Sequence, residues 1–155
     1  MREVFGVDLF SYPADATVVP INWRTRRNGD AVMGAGVAKQ AAERWPWLPA
    51  SLGTLILRGK PFTVCVQTST TDGRLVYLLL VPTKHDWRAP STVELVERGA
   101  KTMRDMADRH GWATVALPRL GCGERTGQLS WPDQVRPLLA GILDDRFVVC
   151  SPGRR

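Results

Sequence analysis

Two glycine-rich segments have the composition that backbone binding of a phosphate group requires. The first covers residues 32–38 and reads VMGAGVA, and the second covers residues 121–127 and reads GCGERTG. Each precedes a predicted helix, where backbone N–H groups can converge on an anion because glycine has no Cβ and the helix dipole favours negative charge. Neither segment matches the Gly-Lys-Ser/Thr phosphate loop or the three-glycine dinucleotide fingerprint, so each could also be a plain tight turn. Together at one cleft, they would suit a diphosphate.

Lys84 is the residue best suited to nucleophilic chemistry. It follows Pro82 and Thr83 at the carboxyl end of a strongly apolar predicted strand, residues 75–82. An amine can lose its proton and attack an electrophilic carbon, whereas a guanidinium group cannot. Only four of the 21 basic residues are lysines, so a lysine at this position is informative. The alternative is a surface lysine at the end of a strand.

Thiol and metal chemistry find less support in the sequence. Cys122 lies between two glycines and could act as a nucleophile with His85 as its base, but nothing in the sequence brings these two side chains together. The three cysteines are odd in number and widely spaced, which predicts reduced thiols rather than disulfides or a zinc site. Since histidines, cysteines and carboxylates do not cluster at ligand spacing, we expect neither a metal nor another cofactor.

The net charge of +6 favours anionic partners such as nucleic acid or phosphorylated metabolites, although an arginine bias also arises from codon usage. Among the six tryptophans, Trp23 and Trp87 lie near the expected cleft and are candidates for stacking on bases. Trp131 falls on the apolar face of a predicted helix and is expected in the core. The sequence has no apolar run long enough for a membrane span and no hydrophobic signal region. We therefore expect a cytoplasmic protein without a membrane partner.

Strand-like and helix-like segments alternate along all 155 residues. Predicted strands cover residues 4–9, 17–22, 62–68, 75–82, 114–117 and 147–150, with a hairpin turn at 71–73. The first predicted helix covers residues 37–45, and the Trp-Pro-Trp-Leu-Pro run at residues 45–49 is expected to break it. A second helix begins with a capping box of Ser91 and Glu94 and ends before Gly111, and a third is capped by Ser130. This alternation predicts one α/β domain, residues 1–155, with helices layered on a mostly buried mixed sheet. Ligands of such sheets bind beyond the carboxyl ends of the strands.

Four segments carry a resemblance to a known family. In chain order they read FGVDLFSYPADATVVPIN, AVMGAGVAKQ, VPTKHDWRAPS and LPRLGCGERTGQLSWPDQVRPLL. This series, with its MGAGVA and PRLGCG blocks and the Thr-Lys strand end between them, resembles the macrodomain family over nearly the whole chain. The similarity is greatest to the branch that contains the terminal ADP-ribose protein glycohydrolases and the DNA ADP-ribosyl glycohydrolase antitoxins. It implies an α/β/α sandwich that binds ADP-ribose in a cleft at one end of the sheet.

The resemblance also implies roles for individual residues. Lys84 corresponds to the lysine that this branch uses at the anomeric carbon of the distal ribose, as a nucleophile or as a polar catalytic group. Asp8 corresponds to the acceptor of the adenine amino group, with Leu9 beside it. Asn22 corresponds to a polar residue near the distal ribose, although it could instead satisfy local backbone. The implied diphosphate loops consist of Met33, Gly34, Ala35, Gly36 and Val37 in the first glycine segment and Gly121, Cys122 and Gly123 in the second.

One position departs from the pattern of the protein-directed enzymes. Their second glycine block is followed by an aspartate that helps to resolve the lysine adduct, and Arg125 stands at that position here. An arginine cannot act as a base. Glu124 is then expected as the catalytic carboxylate, beside Arg125 in the ADP-ribose site, with Asp30 and Asp86 in reserve. Alternatively the lysine works without a carboxylate, as the resemblance to the DNA-directed branch allows.

These expectations describe a monomeric, metal-free ADP-ribosyl hydrolase. The first expectation for its substrate is protein that carries ADP-ribose as a glutamate or aspartate ester. The alternative is single-stranded DNA that carries ADP-ribose on thymine, which the charge of +6 and the VPTKHDWR segment favour. A non-catalytic ADP-ribose reader and a basic nucleic-acid-binding module are further alternatives. Affinity for free ADP-ribose separates the last of these from the others, and turnover separates an enzyme from a reader.

Overall fold

A computed structural model describes residues 1–123 and 128–153. The strands are β1 (Arg2–Phe5), β2 (Ala16–Asn22), β3 (Val64–Ser69), β4 (Leu75–Lys84), β5 (Val115–Leu117) and β6 (Phe147–Ser151). The helices are α1 (Gly36–Arg44), α2 (Leu48–Ile56), α3 (Val93–His110) and α4 (Arg136–Ala140), the last preceded by a π-helical turn at Trp131–Val135. None of the helices in the described ranges combines the length and the apolar character needed to cross a membrane.

The six strands form one mixed sheet in the order β1-β6-β5-β2-β4-β3. All neighbouring pairs are parallel except β3 and β4, which form the predicted antiparallel hairpin. The carboxyl ends of the five parallel strands therefore meet at one edge of the sheet. The ends of β2 and β4 lie side by side there, with Asn22 paired to Lys84. Open α/β sheets bind their ligands at this kind of edge.

Helices cover both faces of the sheet, as the alternation along β4 demonstrates. Leu78 and Leu80 belong to the core cluster that includes residues of α1 and α2, whereas Leu79 and Val81 belong to the cluster that includes residues of α3 and α4. Successive residues of a strand point to opposite faces. Since all four side chains are completely buried, both faces of β4 are covered. The α/β/α sandwich that the sequence predicts is confirmed.

The sequence-based prediction places a break at residues 45–49 and misses helix α2. Leu48, Leu52 and Ile56 follow one another at four-residue spacing and are all buried, which is the apolar stripe of a helix packed on a core. Pro49 lies in the first turn of α2, where a backbone N–H has no helical partner to lose. The run of tryptophans and prolines therefore ends one helix and starts the next.

Two other boundaries also differ from the prediction. Strand β1 ends at Phe5 rather than at residue 9, because Gly6 takes a φ of +70° and Leu9 lies in a single 3-10 turn. The capping box predicted at Ser91 is wrong. Thr92 caps α3 instead, because its hydroxyl accepts a hydrogen bond from the backbone N–H of Leu95. Ser91 is buried instead, with its hydroxyl against the end of β4.

Candidate functional site

An open cavity of about 740 Å³ lies at the carboxyl edge of the sheet. Small-molecule sites typically have volumes of about 300–1,000 Å³. Its walls come from the ends of β2 and β4, the residues after β5, and both glycine segments. The predicted site residues that line it are Asn22, Met33, Gly34, Ala35, Gly36, Val37, Lys84, Gly121 and Gly123. The structure therefore brings both loops and the lysine to one cavity, and no carboxylate belongs to the described lining.

The first glycine segment presents the start of helix α1 to the cavity. Ala35 precedes the helix in an extended conformation and offers no side-chain cap, and the first turn contains no acidic residue. The N–H groups of Gly36, Val37 and Ala38 precede the first hydrogen bond of the helix, which Lys39 donates to Ala35. Gly36 has a φ of +56°, a conformation that glycine adopts without strain. These donors and the positive end of the helix dipole suit a phosphate group.

The second glycine segment forms another wall of the same cavity. Gly121 has a φ of +72°, and a Cβ there would lie 3.0 Å from Leu129 and 3.1 Å from Ser91, so glycine is required for both reasons. The neighbouring Cys122 packs against the core, where its thiol donates to a backbone carbonyl at 3.3 Å. Burial raises the pKa of the Cys122 thiol to about 11. A thiol that stays protonated is a poor nucleophile. Although Cys122 is expected in the second loop, it does not line the cavity, and its backbone N–H donates to the carbonyl of Arg119 at 3.2 Å.

Lys84 lies at the end of β4 with only 8% of its surface exposed. Its Nζ donates to the backbone carbonyl of Trp87 at 3.3 Å, in the turn that follows the strand. Burial lowers the pKa of the Lys84 amine below its usual value, and the nearby Asp86 carboxylate opposes part of this effect. A larger fraction of the amine is then neutral near physiological pH. Nucleophilic attack requires this neutral form.

Asn22 ends β2 beside Lys84, lines the cavity and has one side-chain oxygen that no described residue pairs. Its Nδ2 donates to the carbonyl of Val32 at 3.0 Å, which ties the end of β2 to the first glycine segment. Its Oδ1 is buried and has no hydrogen-bond partner within the described part of the chain. A buried acceptor without a partner costs about 1–3 kcal/mol. A ribose hydroxyl would supply the missing donor once the Asn22 side chain turns this oxygen towards the cavity.

Arg119 lines the cavity but is absent from the predicted site. Its Nε donates to the Ser151 hydroxyl at 3.0 Å and its Nη2 to the Glu3 carboxylate at 3.3 Å. Burial alone would raise the pKa of Glu3, but the hydrogen bonds from Ser151 and Arg119 bring it below its usual value. Residues of β1 and β6 therefore fix this cation just before the second glycine segment. Its closeness to that segment in sequence is the one signal that could have identified it.

Asp8 and Leu9 do not line the cavity. Asp8 is exposed after β1, at the same edge of the sheet, and its carboxylate accepts from the Ser11 hydroxyl at 2.7 Å and from Arg44 at 3.1 Å. The Arg44 guanidinium also lies 4.8 Å from the centre of the Phe10 ring. Leu9 is buried in the core cluster of α1 and α2. An adenine amino group would have to share the Asp8 carboxylate with this ion pair.

The adenine role that the resemblance implies for Asp8 leads to a binding prediction. Asp8→Ala is expected to weaken ADP-ribose binding by about 1.5–3 kcal/mol, the usual contribution of a hydrogen bond to a charged group. Arg44→Ala is the matched control, because it removes the competing ion pair while it keeps the carboxylate, so affinity should persist or increase. Calorimetry with free ADP-ribose measures both. Equal affinity of Asp8→Ala and the parent would remove Asp8 from the adenine site.

The carboxylates proposed for catalysis are not among the described lining residues. Glu124 and Arg125 lie outside the described residues, so their roles stay predictions. Asp30 accepts from Asn28 at 3.2 Å, and Asp86 is engaged in ion pairs at the cavity mouth. Within residues 1–123 and 128–153, no three histidine, cysteine, aspartate or glutamate side chains come together as metal ligands would.

The two stacking candidates have opposite environments. Trp23 is buried, and its Nε1 donates to the carbonyl of Gly59 at 2.9 Å. Trp87 is 53% exposed and lines the cavity. Of this pair, only Trp87 is available to a ligand. Trp131 is buried, as its place on the apolar helix face predicts.

Comparison with known proteins agrees with this geometry. The macrodomain of Mycobacterium tuberculosis DarG is 29% identical and superposes with a TM-score of 0.79 over 99% of both chains. The macrodomain of Thermus aquaticus DarG is 28% identical, with a TM-score of 0.77 over 99% of this chain and 97% of that one. The chain belongs to the macrodomain family. Both the resemblance and the fold that the sequence predicts are thereby confirmed.

Curated relatives place this macrodomain near one branch of the family. The DNA ADP-ribosyl glycohydrolase of M. tuberculosis is 32% identical over 116 residues, which are 72% of this chain and 32% of the relative. The enzyme of the same name from T. aquaticus is 31% identical over 138 residues, which are 86% of this chain and 35% of the relative. The macrodomain thus spans about a third of the length of these relatives. No family model matches the sequence.

Proposed function

We propose that this macrodomain is an ADP-ribosyl hydrolase that releases ADP-ribose from thymine in single-stranded DNA. The observation that carries the proposal is the position of Lys84, a buried amine of lowered pKa in the same cavity as both glycine loops. Such a cavity can hold a diphosphate and present a nucleophile to the sugar attached to it.

In the proposed reaction, the two loops bind the diphosphate and the Asn22 carbonyl oxygen accepts from a ribose hydroxyl. The neutral Lys84 amine attacks the anomeric carbon of the distal ribose. The bond from that carbon to the acceptor breaks, its electron pair leaves with the acceptor, and the acceptor takes up the proton that the amine nitrogen loses. Water then hydrolyses the lysine–ribose adduct, which restores the amine and releases ADP-ribose.

Three observations favour DNA over ester-modified protein, the first expectation for the acceptor. The curated relatives described above are named DNA ADP-ribosyl glycohydrolases. In addition, Arg24, Trp87 and Arg88 are exposed around the cavity mouth, and cations beside an aromatic ring suit a strand of phosphates and bases. Arg125 in place of an aspartate also separates this chain from the protein-directed pattern.

A side-by-side turnover assay tests the acceptor. The protein is incubated with a thymine-modified single-stranded oligonucleotide and, separately, with ester-modified protein at equal concentration, and released ADP-ribose is followed. The expected result is a higher kcat/KM on the oligonucleotide. Faster release from the protein ester would restore the protein-directed hypothesis. Binding of ADP-ribose without release from either acceptor would make this macrodomain a reader.

The environment of Lys84 also predicts the pH dependence of the reaction. Because only the neutral amine attacks, kcat should rise with pH and then level off. The midpoint of this rise should lie below 10.5, the usual lysine pKa. Asp86→Asn should move this rising limb to lower pH, since the carboxylate of Asp86 stabilises the ammonium form. Asp144→Asn is the matched control, because Asp144 is also paired with arginine but is not among the groups that shift the pKa of Lys84. If neither variant shifts the rising part of the kcat–pH profile, a group other than Lys84 titrates.

A further inference from the structure

The turn after β4, residues 85–88, carries an exposed indole at the mouth of the cavity. Trp87 is 53% exposed and lines the cavity, whereas most of the other tryptophans are buried in the core. Burying an aromatic ring is strongly favourable, so one left in water beside a cavity offers its face to a planar partner.

Two arginines lie at this turn, and one carboxylate orients both of them. Asp86 accepts from Arg24 Nε at 2.8 Å, from Arg88 Nε at 3.3 Å and from the Arg88 backbone N–H at 2.9 Å. The Asp86 side chain is 20% exposed, whereas those of Arg24 and Arg88 are 57% and 65% exposed. The arginines hold the pKa of Asp86 well below its usual range, so the carboxylate stays charged. Two guanidiniums share one anion, which leaves net positive charge and exposed N–H donors.

We propose that Arg24, Trp87 and Arg88, together called the mouth strip, bind the single strand next to the modified nucleotide. The Trp87 indole stacks on a neighbouring base, and the two guanidiniums contact backbone phosphates. The ordered pair of cations matches the charge of the strand, and Arg88 also lies 5.3 Å from the centre of the Trp87 ring. A duplex would keep its base faces covered, so the strip selects a single strand. This inference rests on the proposed function and specifies how the acceptor is held.

Trp87 also connects the mouth strip to the reacting amine. Its side chain faces solvent, while its backbone carbonyl accepts from Lys84 Nζ at 3.3 Å. A base stacked on the indole is therefore held at a fixed offset from the amine. In this arrangement Asp86 is a positioning residue, since it orients both arginines and touches no substrate itself.

Binding of an unmodified strand tests the mouth strip without any turnover. The probe is a fluorescein-labelled oligothymidine of about ten nucleotides, a length within the site sizes of single-strand binders, followed by anisotropy over a range of salt concentrations. Trp87→Ala is expected to weaken binding at least ~5-fold, the lower end of the effect of one stacked base, and Trp87→Phe to retain most of the affinity. Arg88→Gln should make the slope of log K against log salt shallower by about 0.7.

Trp47→Ala is the matched control for the loss of an exposed tryptophan. Trp47 is 41% exposed and does not line the cavity, so its removal should leave strand binding unchanged. Thermal unfolding of each variant verifies the fold. Equal binding by Trp87→Ala and the parent would overturn the proposal, as would tighter binding of an oligouridine RNA of the same length.

Turnover on substrates of different length separates this inference from the proposed function. The parent is expected to have a higher kcat/KM on an ADP-ribosylated strand of about ten nucleotides than on ADP-ribosylated thymidine alone. Trp87→Ala should lose this preference while Trp87→Phe and Trp47→Ala keep it. If the parent releases ADP-ribose and Trp87→Ala keeps the preference for the longer strand, the mouth strip is overturned while the proposed hydrolase activity is supported. If the parent releases ADP-ribose from neither substrate, the proposed hydrolase activity is overturned. The binding measurement alone then tests the mouth strip.

Discussion

Lys84→Ala is expected to lower the release of ADP-ribose from modified DNA by at least ~10²-fold, the usual effect of losing a positioned catalytic group. In the proposed mechanism the amine acts on the anomeric carbon, whereas the backbone of the two loops holds the diphosphate. Binding of free ADP-ribose should therefore remain close to that of the parent. Single-turnover release and calorimetry measure the two effects separately.

Two further substitutions show which property of Lys84 matters. Lys84→Arg keeps a positive charge but cannot supply a neutral amine, so it should be as inactive as Lys84→Ala. Lys84→Met keeps the buried aliphatic stem without the amine and serves as the control for packing. Activity of Lys84→Arg equal to the parent would mean that charge alone suffices. Full activity of Lys84→Ala would move catalysis to Glu124 or Asp86.

Ala35→Asp is expected to abolish most ADP-ribose binding and to raise the stability of the fold at the same time. Ala35 is the extended residue that precedes α1 and offers no side-chain cap. An aspartate there would bond the free N–H groups of the first turn and stabilise the helix by about 0.5–2 kcal/mol. The same carboxylate would occupy the proposed phosphate donors and repel the diphosphate. Losing one charge-assisted hydrogen bond costs about 1.5–3 kcal/mol, or roughly 10- to 150-fold in Kd.

The opposite signs of these two effects make the substitution diagnostic. Thermal unfolding should give a higher Tm, while calorimetry should give weaker binding. Ala35→Asn is the matched variant, because it caps the helix without a charge and separates competition for the donors from repulsion. If Ala35→Asp bound ADP-ribose as tightly as the parent, the start of α1 would not hold the diphosphate.

Local sequence predicts those parts of the site that lie at the ends of regular elements. Lys84 ends an apolar strand, and Gly36 starts a helix, so the periodicity of each element places it at the ligand-binding edge. Helix α2 is missed because Pro49 is interpreted as a helix break, although proline is favoured in the first turn of a helix. The error at Ser91 arises because two adjacent hydroxyl residues, Ser91 and Thr92, both fit a cap.

Contacts between distant segments are what the sequence does not reveal. The ion pair of Asp8 with Arg44 joins residues 36 positions apart, and the pairing of Arg24 with Asp86 spans 62 positions. Such pairs depend on the strand order, in which β2 lies beside β4. The distinction between buried Trp23 and exposed Trp87 has the same origin, because both tryptophans follow a strand within three residues of its end.

Chemical trapping of the reaction on thymine-modified single-stranded DNA tests the central claim, that the Lys84 amine attacks the anomeric carbon, most directly. The ring-opened imine form of the lysine–ribose adduct is reducible, so cyanoborohydride added during turnover should fix it. Mass spectrometry is expected to find a reduced ADP-ribosyl group on the peptide that contains Lys84, and none in Lys84→Arg. Turnover that proceeds with no adduct on Lys84, or with the adduct on another residue, would contradict the claim.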